Sequence, residues 1–303
     1  MHLKTTYLKT KLYISLFCVA FFWGTTFLGI RIGLETIPPF ILAGLRNFIS
    51  GFIILIYILY TKKFEFLSAS QLVRCLLLSL LMIVFANGLT TYSEKFITSG
   101  LASIISTLSP FFVLVLNLVL GNEKISVKTI IGIFLGMIGI FLIYQNNLIE
   151  LLNPEYRIGI LAILIAVLSW AIGTIITKKG QKKPAGMLMN ICIQMLMAAV
   201  LLTSMQYVIT PIIAIQNWSF RSVFAVFYLA IFGSVIGYIA YNYLMTQLPS
   251  TKVAILSYVN VVVALFLGWL LLDEVINLRI IFATTLILSG VFIVNFKSLK
   301  KNN

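Results

Sequence analysis

The sequence is short of charged residues, and acidic residues and histidines are the scarcest of all. Only 10% of its 303 residues are charged, with eight Asp or Glu and a single histidine, His2, whereas 61% are hydrophobic. A soluble domain of this length carries about a quarter charged residues. The scarcity of charge therefore excludes an ordinary soluble globular protein and indicates a chain that is surrounded by lipid.

The same scarcity removes the side chains on which enzymes and metal centres depend. The eight acidic residues all fall in loops or at the ends of apolar runs, and Glu94, at the end of one run, is expected to be solvated. Cys18, Cys75 and Cys192 are scattered through apolar runs and are interpreted as small packing residues. We therefore predict that the chain is not an enzyme and has no metal site and no cofactor. A proton relay through buried carboxylates finds no support in the sequence.

Long apolar runs are what the sequence has in abundance. A run of about 20 residues crosses roughly 30 Å of hydrocarbon as a helix. The runs lie at residues 12–32, 40–60, 75–93, 99–120, 129–145, 158–177, 187–208, 222–244, 253–272 and 279–296. The short loops between them leave no room for a separate soluble domain. We predict an all-α membrane protein with ten transmembrane helices.

Lysine and arginine are concentrated at the two ends of the chain and in every second loop. Sixteen of the 22 fall there, and Arg46 lies inside a run. The alternate loops hold only Arg31, Lys95, Arg157, Arg221 and Arg279. The positive-inside rule then places both termini in the cytoplasm. We predict that the chain lies in the inner membrane. We interpret the net charge of +14 as this orientation signal, and we expect lipid and no nucleic acid as a partner.

The two halves of the chain resemble each other. At a shift of 151 the aligned pairs are Ser99 and Ser250, Ser106 and Ser257, Ser109 and Asn260, and Glu123 and Glu274. Trp23 aligns with Trp170 at a shift of 147. Chance similarity between apolar helices is the alternative, but polar landmarks in the same order favour duplication. Five runs per half predict two inverted five-helix repeats, at residues 1–148 and 149–303.

Polar and aromatic side chains inside the runs are the candidate site residues, because each costs free energy in lipid unless it finds a partner or water. We expect them to line a central substrate cavity, where aromatic side chains offer apolar faces with a polar edge. The predicted substrate-binding residues are Trp23, Thr26, Asn87, Tyr92, Ser106, Trp170, Tyr241, Ser257 and Asn260. Packing between helices is the alternative for these residues.

Two of these predictions leave alternatives open. Asn87 and Tyr92 are five residues apart, so an ideal helix turns them away from each other and only one of them should face a single cavity. Arg46 is the only charged residue well inside a run, and its guanidinium keeps its charge. It either pairs with a substrate carboxylate or ties backbone carbonyls in a structural role.

Several segments resemble the EamA-type branch of the drug/metabolite transporter superfamily. They are FWGTTF, ITSGLASII, LSPFFVLVLNLVLGNEKIS and IGIFLGMIGIFLI in the first half, and LPSTKVAILSYVNVVVALFLGWLLLDEVI and SGVFIV in the second. The residues that match family landmarks are Trp23, Pro110, Glu123, Trp170 and Glu274. The resemblance covers about residues 12 to 296 and implies ten helices in two inverted repeats, export of small metabolites and a helix bend at Pro110. Val261 stands where the second half often has proline, which puts the corresponding bend of the ninth helix in doubt.

The sequence thus predicts a secondary active transporter that exports a small neutral or zwitterionic metabolite, amino-acid-like or related, by alternating access. One alternative is a phosphorylated-sugar or nucleotide-sugar exchanger, which would need several Lys or Arg residues in its cavity. Another is a membrane sensor that binds a solute without moving it. The expected partners are a small-molecule substrate and the lipid bilayer, and a homodimer is left open.

Overall fold

The structure, a computed structural model, describes residues 2–120, 123–144, 154–180, 186–210, 215–272 and 278–295. Within these ranges all regular structure is helical, and a helix stands at each predicted apolar run. The helices are α1 His2–Gly33, α2 Pro39–Tyr60, α3 Ala69–Ser93, α4 Ser99–Leu120, α5 Val127–Tyr144, α6 Arg157–Gly180, α7 Met187–Ile209, α8 Phe220–Gln247, α9 Ser250–Ala254 with Leu256–Leu272, and α10 Leu278–Asn295.

Seven of these helices are long and apolar enough to cross a membrane: α1, α2, α3, α4, α6, α7 and α8. The other three contain shorter apolar helices, Val127–Ile143, Ser250–Val263 and Leu278–Val294. Large hydrophobic side chains such as Phe52 and Phe282 are exposed, as is usual where lipid tails surround a bundle. The chain is an all-helical, multi-pass membrane protein. The number of spans and the side on which the termini lie stay predictions.

Local sequence explains where several helices begin. Pro39 opens α2, at a position where its missing N–H costs no hydrogen bond. Ser68 forms a capping box with Gln71 before α3, Thr98 caps α4, and Ser219 caps α8. An oxygen that accepts a free N–H of the first turn stabilises a helix by about 1 kcal/mol. These polar residues therefore end the loops and start the next apolar helix.

Two helices contain π-helical stretches at matching places in the two halves. Ser79–Gly88 belongs to α3 and Leu229–Ile236 belongs to α8. The two stretches overlap when the first is shifted by the predicted 151 residues. A π-helical turn inserts an extra residue into the helix and is often found at functional sites. Both stretches contribute residues to the cavity described below.

Helix α4 and its predicted counterpart α9 are both interrupted. The break in α4 lies at Thr107 and Leu108, whose N–H groups donate to carbonyls three residues back at 2.9 and 3.1 Å. It precedes Pro110, whose ring clashes with the helical position of the carbonyl four residues earlier. The break in α9 lies at Ile255. Because Val261 replaces the proline there, that interruption does not depend on proline.

The most extensive helix contacts pair α2 with α7 and α5 with α10, each with its predicted counterpart in the other half. Glycines allow the close approach of α5 and α10. A Cβ on Gly132 would lie 2.6 Å from Gly290 O, and a Cβ on Gly139 would lie 2.7 Å from Ala283 O. Adding 151 to Gly132 and Gly139 gives Ala283 and Gly290, so these two contacts are one contact with the halves exchanged. In the same way, α1 packs on α8 and α9, and α6 packs on α3 and α4.

Candidate functional site

A cavity of about 140 Å³ lies inside the bundle, between the two halves. Eight helices line it, α1 to α4 from the first half and α6 to α9 from the second, and no described residue of α5 or α10 contributes to it. We call it the central cavity. Its lining includes Trp23, Thr26, Asn87, Ser106, Trp170, Tyr241, Ser257 and Asn260, together with Arg46. The structure therefore brings together eight of the nine predicted substrate-binding residues.

Aromatic rings from three helices meet in the central cavity. The Trp23 ring centroid lies 5.2 Å from that of Trp170 and 5.3 Å from that of Tyr241, and the latter two are 5.1 Å apart. Tyr238, one turn before Tyr241, adds a ring 6.4 Å from Trp170. Tilted and edge-to-face pairs at such distances are worth about 0.5–1.5 kcal/mol each. The tryptophans that the repeat aligns thus contact each other across the two halves.

The polar atoms of these rings bind neighbouring helices. Trp23 Nε1 donates to Gly233 O at 3.0 Å, in the π-helical stretch of α8, and a side chain on Gly237 would overlap Nε1. The Tyr241 hydroxyl shares a hydrogen bond of 2.7 Å with Thr174 Oγ1. These bonds orient the rings and leave their apolar faces to the cavity. The polar edges of Trp23 and Tyr241 are already occupied by the protein.

Two of the asparagines that line the central cavity, Asn87 and Asn260, supply acceptors. Asn87 Nδ2 donates to Met82 O at 3.3 Å, five residues back in the π-helical stretch. The Asn260 amide is oriented so that its nitrogen faces two carbonyl groups, and Nδ2 donates to Ala20 O at 2.9 Å and to Leu256 O at 3.2 Å. With both amide nitrogens bound to backbone carbonyls, the side-chain oxygens are the acceptors available to a ligand.

Three hydroxyl groups of the central cavity, those of Ser106, Thr26 and Ser257, differ in their hydrogen bonding. Ser106 Oγ donates to Ala102 O at 2.8 Å and Thr26 Oγ1 donates to Trp23 O at 2.7 Å, so each donates within its own helix and keeps lone pairs. Ser257 Oγ is buried and has no hydrogen-bond partner among the described residues. An unpaired buried hydroxyl is costly, and a ligand in the cavity would satisfy it.

Arg46 is 5% exposed, and the hydrogen bond it makes goes to a side chain and not to the backbone carbonyls that its structural role was expected to tie. Its Nε donates to Ser234 Oγ of α8 at 2.6 Å, which is a structural bond between α2 and α8. Within the described ranges, its Nη atoms have no hydrogen-bond partner and no carboxylate lies within ion-pair distance. A buried guanidinium keeps its charge and needs an anion, water or carbonyl oxygens. Arg46 therefore brings an uncompensated positive charge to the central cavity.

Tyr92 does not line the central cavity, so the structure selects Asn87 of the pair that the sequence left open. Tyr92 stacks on Phe40 with centroids 5.2 Å apart, in a second pocket at the end of the bundle where α1 and α3 finish. We call it the Glu94 pocket, and its lining includes Arg31, Glu35, Tyr92, Glu94, Lys95 and Gln206. The expectation that Glu94 is solvated is wrong, because this residue is 0% exposed.

Two further family landmarks, Pro110 and Glu123, lie outside the central cavity. Pro110 is buried just after the break in α4 and does not line the cavity. Glu123, near the end of α4, accepts hydrogen bonds from Ser250 N at 2.7 Å and Thr251 N at 3.5 Å, while Asn117 Nδ2 donates to Ser250 Oγ at 2.9 Å. We call these contacts between α4 and the start of α9 the Glu123 clasp. Glu274, the predicted counterpart of Glu123, lies outside the described residues.

Sequence reasoning missed the residues that hold the aromatic and charged side chains of the site in place. Gly233, Ser234 and Gly237 of α8 hold Trp23 and Arg46, and Gln194 accepts from the Tyr238 hydroxyl at 3.1 Å. The small-residue spacing of Gly233 and Gly237 is a signal for close helix approach. It does not reveal that the group approaching is an indole.

The chain is similar in sequence to known transporters. A model described as the EamA-like transporter family matches residues 10–145 and again residues 157–296. The chain is 32% identical to the uncharacterized inner membrane transporter YedA of Escherichia coli, over 85% of this chain and 81% of the relative. It is 27% identical to the uncharacterized transporter YoaV of Bacillus subtilis, over 94% and 97% of the two chains.

One further relative and one solved structure are also similar to this chain. An Escherichia coli protein named a probable amino-acid metabolite efflux pump is 27% identical over 89% of this chain and 90% of its own length. One crystal structure superposes with a TM-score of 0.76 at 17% identity and covers 95% of this chain and 98% of that one. That structure shows a shared fold.

Proposed function

Because the chain belongs to the EamA-like transporter family, we propose that it is a secondary active transporter that exports a small, amino-acid-like zwitterion across the inner membrane. Transport proceeds by alternating access, with the central cavity as the substrate site. The names of the relatives indicate transporters and not enzymes, and one of them is named as an efflux pump for amino-acid metabolites.

The proposed architecture has ten spans in two inverted five-helix repeats, residues 1–148 and 149–303, with both termini in the cytoplasm. The double match of the family model supports the division. The pairing of α2 with α7 and of α5 with α10 supports a two-fold relation between the halves. The alternation of Lys and Arg supports the orientation. A cavity lined by four helices from each half is the usual place for a substrate in such a transporter.

The observation that carries the proposal is the buried Arg46, which reaches the central cavity with no carboxylate of the described chain beside it. A guanidinium binds a carboxylate through two parallel hydrogen bonds. The side-chain oxygens of Asn87 and Asn260 are acceptors suited to an ammonium group. Trp23 and Trp170 offer apolar faces to the remainder of the ligand. This set of groups matches the two charges and the apolar part of an amino-acid-like zwitterion.

The same lining argues against a phosphorylated-sugar or nucleotide-sugar exchanger. Such ligands carry several negative charges and are held by clusters of Arg and Lys. Arg46 is the only Lys or Arg among the described residues that line the central cavity. One guanidinium suits one carboxylate better than a phosphate chain.

The Glu123 clasp supplies a closing contact for alternating access. It joins α4 of the first half to α9 of the second, and Ser250 is fully buried beneath it. In the proposed orientation this end of the bundle faces the cytoplasm. Substrate entry from the cytoplasm then requires the start of α9 to separate from Glu123 and Asn117.

The function is tested first by comparing metabolites exported by cells with and without the gene. The full chain is then reconstituted in vesicles, and efflux of isotopically labelled common amino acids is measured. Protein-dependent efflux of at least one of them is expected. A purified chain that moves no solute while binding one would replace the transporter by the sensor.

The site is tested by Arg46→Gln, with the exposed Arg221→Gln as the matched control. Loss of a charge-assisted hydrogen bond of about 1.5–3 kcal/mol should weaken apparent affinity for the zwitterion roughly 10- to 100-fold. Arg46→Lys keeps the charge but not the planar fork, so it should recover only part of the affinity. Unchanged affinity in Arg46→Gln would remove Arg46 from the substrate site.

A further inference from the structure

The carboxylate of Glu94 is buried and has no hydrogen-bond partner in the part of the chain that the structure describes. Glu94 follows the last residue of α3, which spans Ala69–Ser93, and its side chain is 0% exposed. Neither Oε1 nor Oε2 accepts a hydrogen bond from any described residue. An ionised carboxylate in such a place would lose its hydration without compensation, whereas the protonated acid loses much less. The arrangement therefore suits the neutral acid.

Titratable groups surround the Glu94 pocket, yet none of those described forms an ion pair with the carboxylate. Arg31 of α1 donates from Nη1 to the backbone oxygen of Glu94 at 3.0 Å, so its guanidinium binds the main chain of this residue. Glu35 follows α1 and pairs with Arg221 at 3.5 Å, and Lys95 is exposed. Other titratable groups at this end include Tyr92 in the pocket, Tyr207 near the end of α7, Arg279 at the start of α10, and Glu155, Tyr156 and Arg157 where α6 begins.

The electrostatics favour the same protonation state as the geometry. Burial raises the pKa of Glu94 well above its ordinary value, and the nearby Arg31 opposes this shift to a smaller extent. Ionisation would favour a rearrangement in which the carboxylate reaches Arg31, Lys95 or water. The buried arrangement is thus the low-pH form of this end of the bundle.

Glu94 is connected to the central cavity through its own helix. Its N–H donates to Thr90 O at 3.3 Å, and both Thr90 and Asn87 line the cavity. Thr91 Oγ1 donates to Asn87 O at 2.8 Å in the same turns. A movement of the last turn of α3 that exposes Glu94 would therefore shift residues that line the substrate site.

We propose that Glu94 is a proton-binding site that couples the proton gradient to transport. The protonated acid holds the end of α3 buried, and the ionised form releases it toward Arg31 and Lys95. In the proposed orientation the Glu94 pocket faces the outside, so external protons bind the carboxylate when the ionised form is released. This inference rests on the proposed function, and it assigns H⁺ as the coupling ion.

The protonation itself is tested without a substrate. The full chain in lipid vesicles is titrated by infrared difference spectroscopy, which detects the carbonyl stretch of a protonated carboxylic acid. The wild type should show an acid that titrates above the usual carboxyl range, and Glu94→Gln should lack it. Glu35→Gln is the matched control, because it removes an exposed carboxylate from the same pocket and should keep the signal. Persistence of the band in Glu94→Gln, or its absence in the wild type, would overturn the proposal.

A second variant keeps the test decisive if Glu94→Gln does not fold. Glu94→Asp keeps a carboxyl group on a shorter stem, so its titration should shift and should not vanish. If Glu94→Gln does not fold, an unshifted titration in Glu94→Asp refutes the assignment. Elution of each variant as a single species in detergent is the check on folding.

Coupling is tested by efflux of labelled common amino acids from vesicles, with and without an inward proton gradient. The gradient should accelerate efflux through the wild type and Glu35→Gln. In Glu94→Gln the efflux rates with and without the gradient should be equal. If acceleration persists in Glu94→Gln, the coupling role is wrong while the transporter stands. If the wild type moves no solute, the proposed function fails, and the infrared titration still decides whether Glu94 binds the proton.

Discussion

Gly237 should be indispensable, because it makes room for the indole that joins the two halves at the central cavity. In Gly237→Ala the new methyl group would overlap Trp23 Nε1, which donates to Gly233 O at 3.0 Å. The indole must then move, which breaks this bond and disturbs its contacts with Trp170 and Tyr241. A lost buried hydrogen bond costs about 1–3 kcal/mol and overpacking about 1–3 kcal/mol. The gain of helix propensity returns about 1 kcal/mol.

The expected net loss for Gly237→Ala is about 1–5 kcal/mol. It should appear as a lower thermal unfolding midpoint in detergent, altered tryptophan fluorescence and reduced efflux from vesicles. Gly100→Ala is the matched control, since the nearest atom to its Cβ is Thr98 Oγ1 at 4.0 Å and the substitution should be neutral or slightly stabilising. If Gly237→Ala matched the wild type in all three measurements, the position assigned to the indole would be refuted.

Three more outcomes follow from single contacts. Glu123→Gln weakens the contact with Ser250 N and should therefore increase alkylation of a cysteine introduced at the start of α9. The control Glu65→Gln changes an exposed glutamate and should leave the labelling as it is in the wild type. Equal labelling in the two variants would refute the Glu123 clasp. Because the pKa of Glu94 is raised, protonated Glu94 stabilises the buried arrangement at low pH, and this stability is lost as pH rises from the usual carboxyl range through the raised pKa. A thermal midpoint with the same pH dependence in the wild type and in Glu94→Gln would contradict this. Gly290→Leu should lower the midpoint by forcing α5 and α10 apart, and a midpoint equal to the wild type would show that this pair does not pack closely.

The helices could be read from the sequence because the signal is large and local. A run of about 20 apolar residues has few alternatives to a helix in lipid, where every backbone group must be paired within its own segment. Most cavity residues were predictable for a related reason. Exposing Arg46 or Asn260 to lipid would cost free energy, so their place inside apolar runs predicts that they face the interior of the bundle. Family membership came from ordered motifs such as FWGTTF, and the family match at residues 10–145 and 157–296 confirms it.

The choice between Asn87 and Tyr92 needed the structure. An ideal helical wheel separates the two residues but does not say which one faces the cavity. The π-helical stretch Ser79–Gly88, which contains Asn87, changes the rotation of α3, and Phe40 of α2 stacks on the Tyr92 ring. Neither the extra residue in the turn nor the partner from another helix has a local signature.

The sequence by itself determined the solvent of this protein, its apolar helices and the family to which it belongs, because these follow from composition and from short-range order. Only the tertiary structure decided how the polar groups are used. In this structure the Trp23 N–H donates to the Gly233 carbonyl, one nitrogen of Arg46 donates to Ser234, and the carboxylate of Glu94 is buried. Each of these outcomes depends on which atoms of distant helices come within a few ångströms of one another, and residue types and spacings alone do not contain that information.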